Sequence, residues 1–171
     1  MKGQRNGPNQ IIRDIVAMYR KYRFPEPERP EAIDNELMQM RLNFLLEELL
    51  EIAGASGFKL MDTHCEDEIT EVVNLETECP HFEWRPSADC RPNLEEVLDG
   101  LIDLIVVAVG TCYLGGYLRP YKDCTIFDEA WSRVHRANMQ KEVGRNAKRG
   151  NHSLDLVKPE GWTPPKFDDL V

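Results

Sequence analysis

Two helical stretches carry carboxylates at spacings that suit metal chemistry. "LNFLLEELLEIAG", residues 42 to 54, holds Glu47, Glu48 and Glu51; "NLEEVLDGLIDLIVVAVGTCYLGG", residues 93 to 116, holds Glu96, Asp99 and Asp103. In a helix, residues three and four apart share a face, so each set forms a line of like charges. Such a pair costs only about 0.2–0.5 kcal/mol when solvated. The first stretch alone therefore reads as the wet back of an ordinary amphipathic helix, with Leu42, Leu45, Leu46, Leu49 and Ala53 as its core stripe. The second stretch shifts that balance. It is apolar almost all round, which predicts burial on most sides, and it contains no Lys or Arg. Carboxylates on a largely buried helix are expensive unless paired or metal-bound. Two readings remain: salt bridges from Arg or Lys of the last helix, or divalent cations between the two acidic helices. The second is preferred, and an oxygen-only ligand set suits Mg²⁺ or Mn²⁺.

The elements that must position these residues follow from periodicity and punctuation. Residues 9–23 read as a helix with Asn9 as a cap and Ile12, Ile15, Val16 and Tyr19 on one face. "FPEPERP" stops it, since Pro25, Pro27 and Pro30 cannot continue a helix. Residues 31–55 form the second predicted helix, 93–114 the third, ended by Gly115-Gly116, and 125–142 the fourth. Asn93, with Glu96 three residues on, approaches a capping box. Residues 58–92 hold a short helix near Asp67–Asn74 and a loop, "CPHFEWRPSADCRP". The tail from Gly144 is expected to lie extended over the surface. With no βαβ alternation and helical period in every long segment, the expected class is all-α, a helical bundle in one domain over residues 1–171.

Glu47-Glu48-x-x-Glu51 followed by Glu96-x-x-Asp99 resembles the EExxE…ExxD signature of the all-α nucleoside triphosphate pyrophosphohydrolases. That superfamily contains MazG, dimeric dUTPases, dCTP pyrophosphatases and phosphoribosyl-ATP pyrophosphohydrolase. The chain looks most like MazG-like, phosphoribosyl-ATP-pyrophosphohydrolase-like proteins of phages, with "VHRANMQK" and "KPEGWTPP" following the acidic motifs in order. The gap from Glu51 to Glu96 is longer than is usual there, so residues 58–92 read as an insertion or an elaborated helix. The resemblance implies a MazG-like bundle completed by oligomerisation, as a homodimer or homotetramer. It implies an enzyme that splits a nucleoside triphosphate (dGTP, dATP, dUTP or dCTP) into monophosphate and pyrophosphate. Phosphoribosyl-ATP hydrolysis and a non-catalytic helical interaction protein are the alternatives. By motif position Glu48, Glu51, Glu96 and Asp99 would hold Mg²⁺ and Glu47 would handle the attacking water. Asp103, one turn beyond Asp99, is either a further ligand or a plain salt-bridge partner. Asn138 and Lys141 would touch phosphate or sugar, with Lys158 and Arg41 as weaker candidates. Phe44 is the best-placed aromatic for the base, ahead of Trp84, Tyr113, Tyr117 and Trp131.

Composition sets the wider limits. A net charge of -9 over 171 residues argues against a stable nucleic-acid partner. Residues 131–149 run against that trend: Arg133, Arg136, Lys141, Arg145, Lys148 and Arg149 face one acid, Glu142. No apolar stretch follows the first basic residues, so no secretory leader is expected, and a cytoplasmic setting is. Leu101–Leu118 is the most apolar run, but Asp103 within it makes a core helix the expectation and a membrane span not. His64, Cys65, Cys79, His81 and Cys90 are soft ligands without a paired CxxC, so free thiols are preferred over zinc.

Overall fold

Phe58 and Leu60 in "FKLMD", and Phe82 and Trp84 in "FEWRP", stand two apart, and this period of two builds strands. The computed structural model describes residues 10–62, 82–88, 91–144 and 155–171. Their order is α1 (Gln10–Lys21), α2 (Asn35–Ala55), β1 (Phe58–Asp62), β2 (Phe82–Pro86), α3 (Leu94–Leu114), β3 (Pro120–Tyr121), β4 (Cys124–Thr125), α4 (Ile126–Asn138), β5 (Glu142–Gly144) and β6 (Asp155–Val157). The strands pair as β1–β2, β3–β4 and β5–β6, all antiparallel. The architecture is thus mixed α/β, and the all-α, MazG-like bundle is corrected. β2 replaces predicted loop at residues 82–86, and β5 begins at Glu142, where the fourth predicted helix ends; each pairing satisfies backbone groups locally. The proposed short helix near Asp67–Asn74 lies outside the described residues.

Helix ends show why the predicted boundaries move. Asp34 accepts a hydrogen bond from the Leu37 N–H at 2.9 Å, so α2 starts after this cap and not at residue 31. Asn93 Oδ1 accepts from the Glu95 N–H at 3.1 Å and starts α3 as expected. At α4, Thr125 and Asp128 complete a capping box that the sequence reading did not find.

The chain divides into two units, Met1–Glu31 with Cys112–Val171 (the terminal unit) and Ala32–Thr111 (the central unit). The terminal unit is centred on Ile12, Ile15 and Tyr19 of α1, with Tyr113, Leu114, Leu118, Ile126, Ala137 and Leu170 also buried. Tyr19 packs against Phe24 and Tyr113 at ring-centroid distances of 4.8 and 5.1 Å. Gly116, at φ +76°, is required here: a Cβ would stand 2.4 Å from the Arg29 carbonyl oxygen. Beside it the Glu31 N–H donates to the Gly115 carbonyl at 3.2 Å.

The central unit holds α2, the β1–β2 hairpin and α3 up to Thr111. Leu60 and Val109 are its buried apolar residues among those described. Most of the α3 surface is open, against expectation: Leu94 is 79% exposed and Leu98 62%, with Leu101, Ile102 and Ile105 exposed on the same stripe. A single α2 and a two-stranded hairpin are too little to cover a helix that is apolar all round. By length and composition α3 could cross a membrane, but Asp99 and Asp103 oppose that. The predicted core stripe of α2 is open too, at Leu42 and Leu49.

Candidate functional site

The candidate site grows from the approach of α2 and α3 in the central unit. Gly100 makes the approach close, since a Cβ there would meet Ile52 Cγ1 at 2.8 Å and the Glu48 carbonyl oxygen at 3.8 Å. Arg41, 93% withdrawn from solvent, fastens the pair: its Nη2 donates to the Val107 carbonyl at 2.7 Å and its Nε to Thr111 Oγ1 at 3.1 Å. The guanidinium also lies 5.7 Å from the centre of the Phe44 ring. Of the two residues expected to touch substrate, Arg41 binds α3, and Phe44 lies beside it on α2.

Glu48 lies in the middle of the acidic face. Its side chain is half-buried, and Oε2 is buried without a hydrogen-bond partner among the described residues. Burial pushes its carboxyl above the ordinary range, and the negative charges of Glu51, Asp103, Glu47 and Asp99 push it further. Four of the other sequence-designated acids are thus brought within electrostatic reach of Glu48. Glu96 lines, with Asp99, Glu95 and Leu98, an open hollow of about 590 Å³ along α3. Glu47, Glu51, Glu96, Asp99 and Asp103 are exposed. The salt-bridge alternative finds no support, because among the described residues no Arg or Lys pairs with any of the six. Arg133 of α4 pairs instead with Glu129 and Asp169.

Asn138, Lys141 and Lys158 belong to the terminal unit. Asn138 ends α4 and is exposed, and its carbonyl accepts from the Lys141 N–H at 3.0 Å. Lys141 and Lys158 meet at Trp162, with Nζ atoms 5.7 and 4.5 Å from the ring centre. Trp162 donates from Nε1 to the Ala137 carbonyl at 2.8 Å, which ties "KPEGW" to the end of α4. Sequence reasoning named both lysines and missed the ring between them. Tyr113, a base-stacking candidate, is 2% exposed and belongs to the core. Residues 63–81 and 89–90 lie outside the described residues, and so do the zinc candidates His64, Cys65, Cys79, His81 and Cys90. Arg145, Lys148 and Arg149 do as well.

Comparison with known proteins found no matching family model and no matching curated protein. Among the described residues, no three His, Cys, Asp or Glu side chains are grouped so that they could hold one ion. The resemblance to the MazG-like superfamily is therefore corrected. The metal-dependent pyrophosphohydrolase function, the enzyme assignment and the picture of a preassembled multi-carboxylate centre are corrected with it. The physical reason is visible in α2 and α3: the motif residues share two helix faces, but only Glu48 is drawn inward while the other acids stand in solvent.

Proposed function

We propose that the protein binds a hydrated divalent cation, Mg²⁺ or Mn²⁺, on the α2–α3 face, with Glu48 as the direct ligand. One observation carries this reading: a buried, unpartnered carboxylate oxygen surrounded by further negative charge. Such an oxygen costs free energy until a cation or proton reaches it. A preassembled trio of ligands is not needed, because Mg²⁺ keeps several waters and is often held by one or two carboxylates. Glu51, Asp99, Asp103 and Glu47 would accept hydrogen bonds from those waters, and Glu96 would extend the acidic surface along α3. The bound ion would let a phosphate-bearing partner approach an otherwise repelling face, and a nucleoside triphosphate is the ligand class we propose. The role assigned is binding, with no turnover implied. In the same reading a second copy of the chain covers the exposed stripe from Leu94 to Ile105, and the setting is the cytoplasm.

The test is thermal unfolding with Mg²⁺, Mn²⁺ or EDTA, for the wild type and Glu48→Gln. The folded-state carboxyl is raised, so its ionised form weakens the fold as pH rises past the ordinary carboxylate range. Without metal at neutral pH, Glu48→Gln should raise Tm, because it removes the ionised form that weakens the fold. Either cation should raise the wild-type Tm and leave the variant unmoved. Equal response of both proteins, or none from the wild type, rejects the site.

A further inference from the structure

The terminal unit contains a second place where charge and shape converge. A hollow of about 380 Å³ has Ile12, Val16 and Leu118 among its apolar lining and Arg20, Glu26 and Arg119 among its charged lining. The volume falls within the range of small-molecule sites. Glu26 is fully engaged. Arg20 grips it with Nε at 3.0 Å and Nη2 at 2.9 Å, Arg119 donates from Nη1 at 3.1 Å, and the Tyr113 hydroxyl donates at 3.2 Å. Two guanidiniums thus share one carboxylate, and the cluster keeps an excess positive charge in a chain of net charge -9. Arg119 spends only one of its five side-chain N–H groups on Glu26 among the described residues. Arg119 lines the hollow with its side chain 33% exposed.

We propose that this hollow binds a small organic anion, an oxyanion head on an apolar body, with the head taken by Arg119 and Arg20 and the body laid against Ile12, Val16 and Leu118. A guanidinium fork matches the paired oxygens of a carboxylate or phosphate, and both heads share that chemistry. Glu26 acts as the internal stand-in for the head: it orients the two arginines and competes for them. This site is independent of the cation site on α2 and α3.

The experiment is an amide NMR titration of the full chain with phenyl phosphate, benzoate, phenol and inorganic phosphate. Saturable shifts centred on Ile12, Val16 and Arg119 are expected with phenyl phosphate or benzoate, and whichever binds tighter names the head group. Phenol and inorganic phosphate, each lacking half of the ligand, should bind at least about tenfold more weakly. Arg119→Gln should weaken the preferred probe about tenfold, while Glu26→Gln, which removes the competing charge, should tighten it severalfold. A purely structural role for Glu26 predicts no such gain. Shifts absent from these residues with both aromatic anions overturn the proposal, as does equal binding of phenol. So does a folded Glu26→Gln that binds more weakly. If Glu26→Gln does not fold, the wild-type comparison of phenyl phosphate and benzoate with phenol decides alone.

Discussion

In the terminal unit Tyr19, Phe24 and Tyr113 stack at centroid distances near 5 Å, and Leu118, Ile126 and Leu170 are each less than a tenth exposed. In the central unit Leu94, Leu98 and Ile102 are each more than half exposed, and Glu48, the acid that turns inward, has a buried Oε2 without a hydrogen-bond partner among the described residues. One part spends its apolar side chains on itself. The other, among its described residues, buries few of them, Leu60 and Val109, and draws one acid inward. The contrast teaches that apolar content does not locate a core: α3 has a mean hydropathy of 2.0, yet only 28% of that span is buried. What decides is how many neighbouring elements can reach a helix face, and α1, with polar residues on its outer side, has enough of them.

Four perturbations test the difference between the two units, in descending order of effect. Tyr113→Ala should cost about 3–5 kcal/mol, because it removes a large, fully buried ring and the hydroxyl bound to Glu26. Chemical denaturation measures it, and a loss below ~1 kcal/mol would deny the terminal unit its core. Arg41→Leu should cost about 2 kcal/mol by the same measurement, through the lost charge-assisted bonds to Val107 and Thr111. An unchanged midpoint would show that α2 and α3 do not depend on that clamp.

The third change is acid. The Arg133 guanidinium holds the Asp169 carboxyl down to about 2 from an ordinary 3.8. A depressed folded-state value means the contact is fully present above 3.8 and fades as pH falls towards about 2. Hydrogen exchange at Leu170 should quicken across that window, and Arg133→Gln should move the change upward towards 3.8. Exchange that ignores both would mean the tail is held by Leu170 packing alone. The smallest effect is expected from Leu98→Ala, within about 0.5 kcal/mol for the dilute chain, as for an exposed position. Light scattering supplies the sharper readout. If a second copy covers the α3 stripe, the substitution lowers the apparent mass; an unchanged monomer in both proteins removes self-association from the account.

Legibility in the sequence tracks the range of the forces involved. Helix existence followed from local spacing, and Asn93 and Gly115-Gly116 marked the ends of α3 correctly because caps act within a few residues. Asp34 was equally local and was passed over in favour of the proline run before it. The strands were hidden for a different reason. "FEWRP" pairs with "FKLMD" across an excursion in the chain, and a single strand of five residues has no meaning until its partner is found. The acidic residues were all visible by position. Which one is drawn inward was not, since that depends on Gly100 letting Ile52 and the Glu48 backbone come near. The hold of Arg41 on α3 was hidden as well. Its partners, a carbonyl and a hydroxyl on α3, lie far along the chain.

Gly116 has a consequence for synthesis as well as for shape. The backbone that its missing Cβ admits belongs to Arg29 and Pro30, so the two chain ends share one unit while Ala32–Thr111 intervenes. A ribosome adding ~5–20 residues per second finishes the central unit seconds before Cys112–Val171 emerges. For that interval Ile12, Ile15 and Tyr19 have no partners from the later segment, and α1 waits as an unsupported amphipathic helix. Moving residues 10–31 behind Val171 by circular permutation would shorten that wait and make the terminal unit a contiguous stretch of chain.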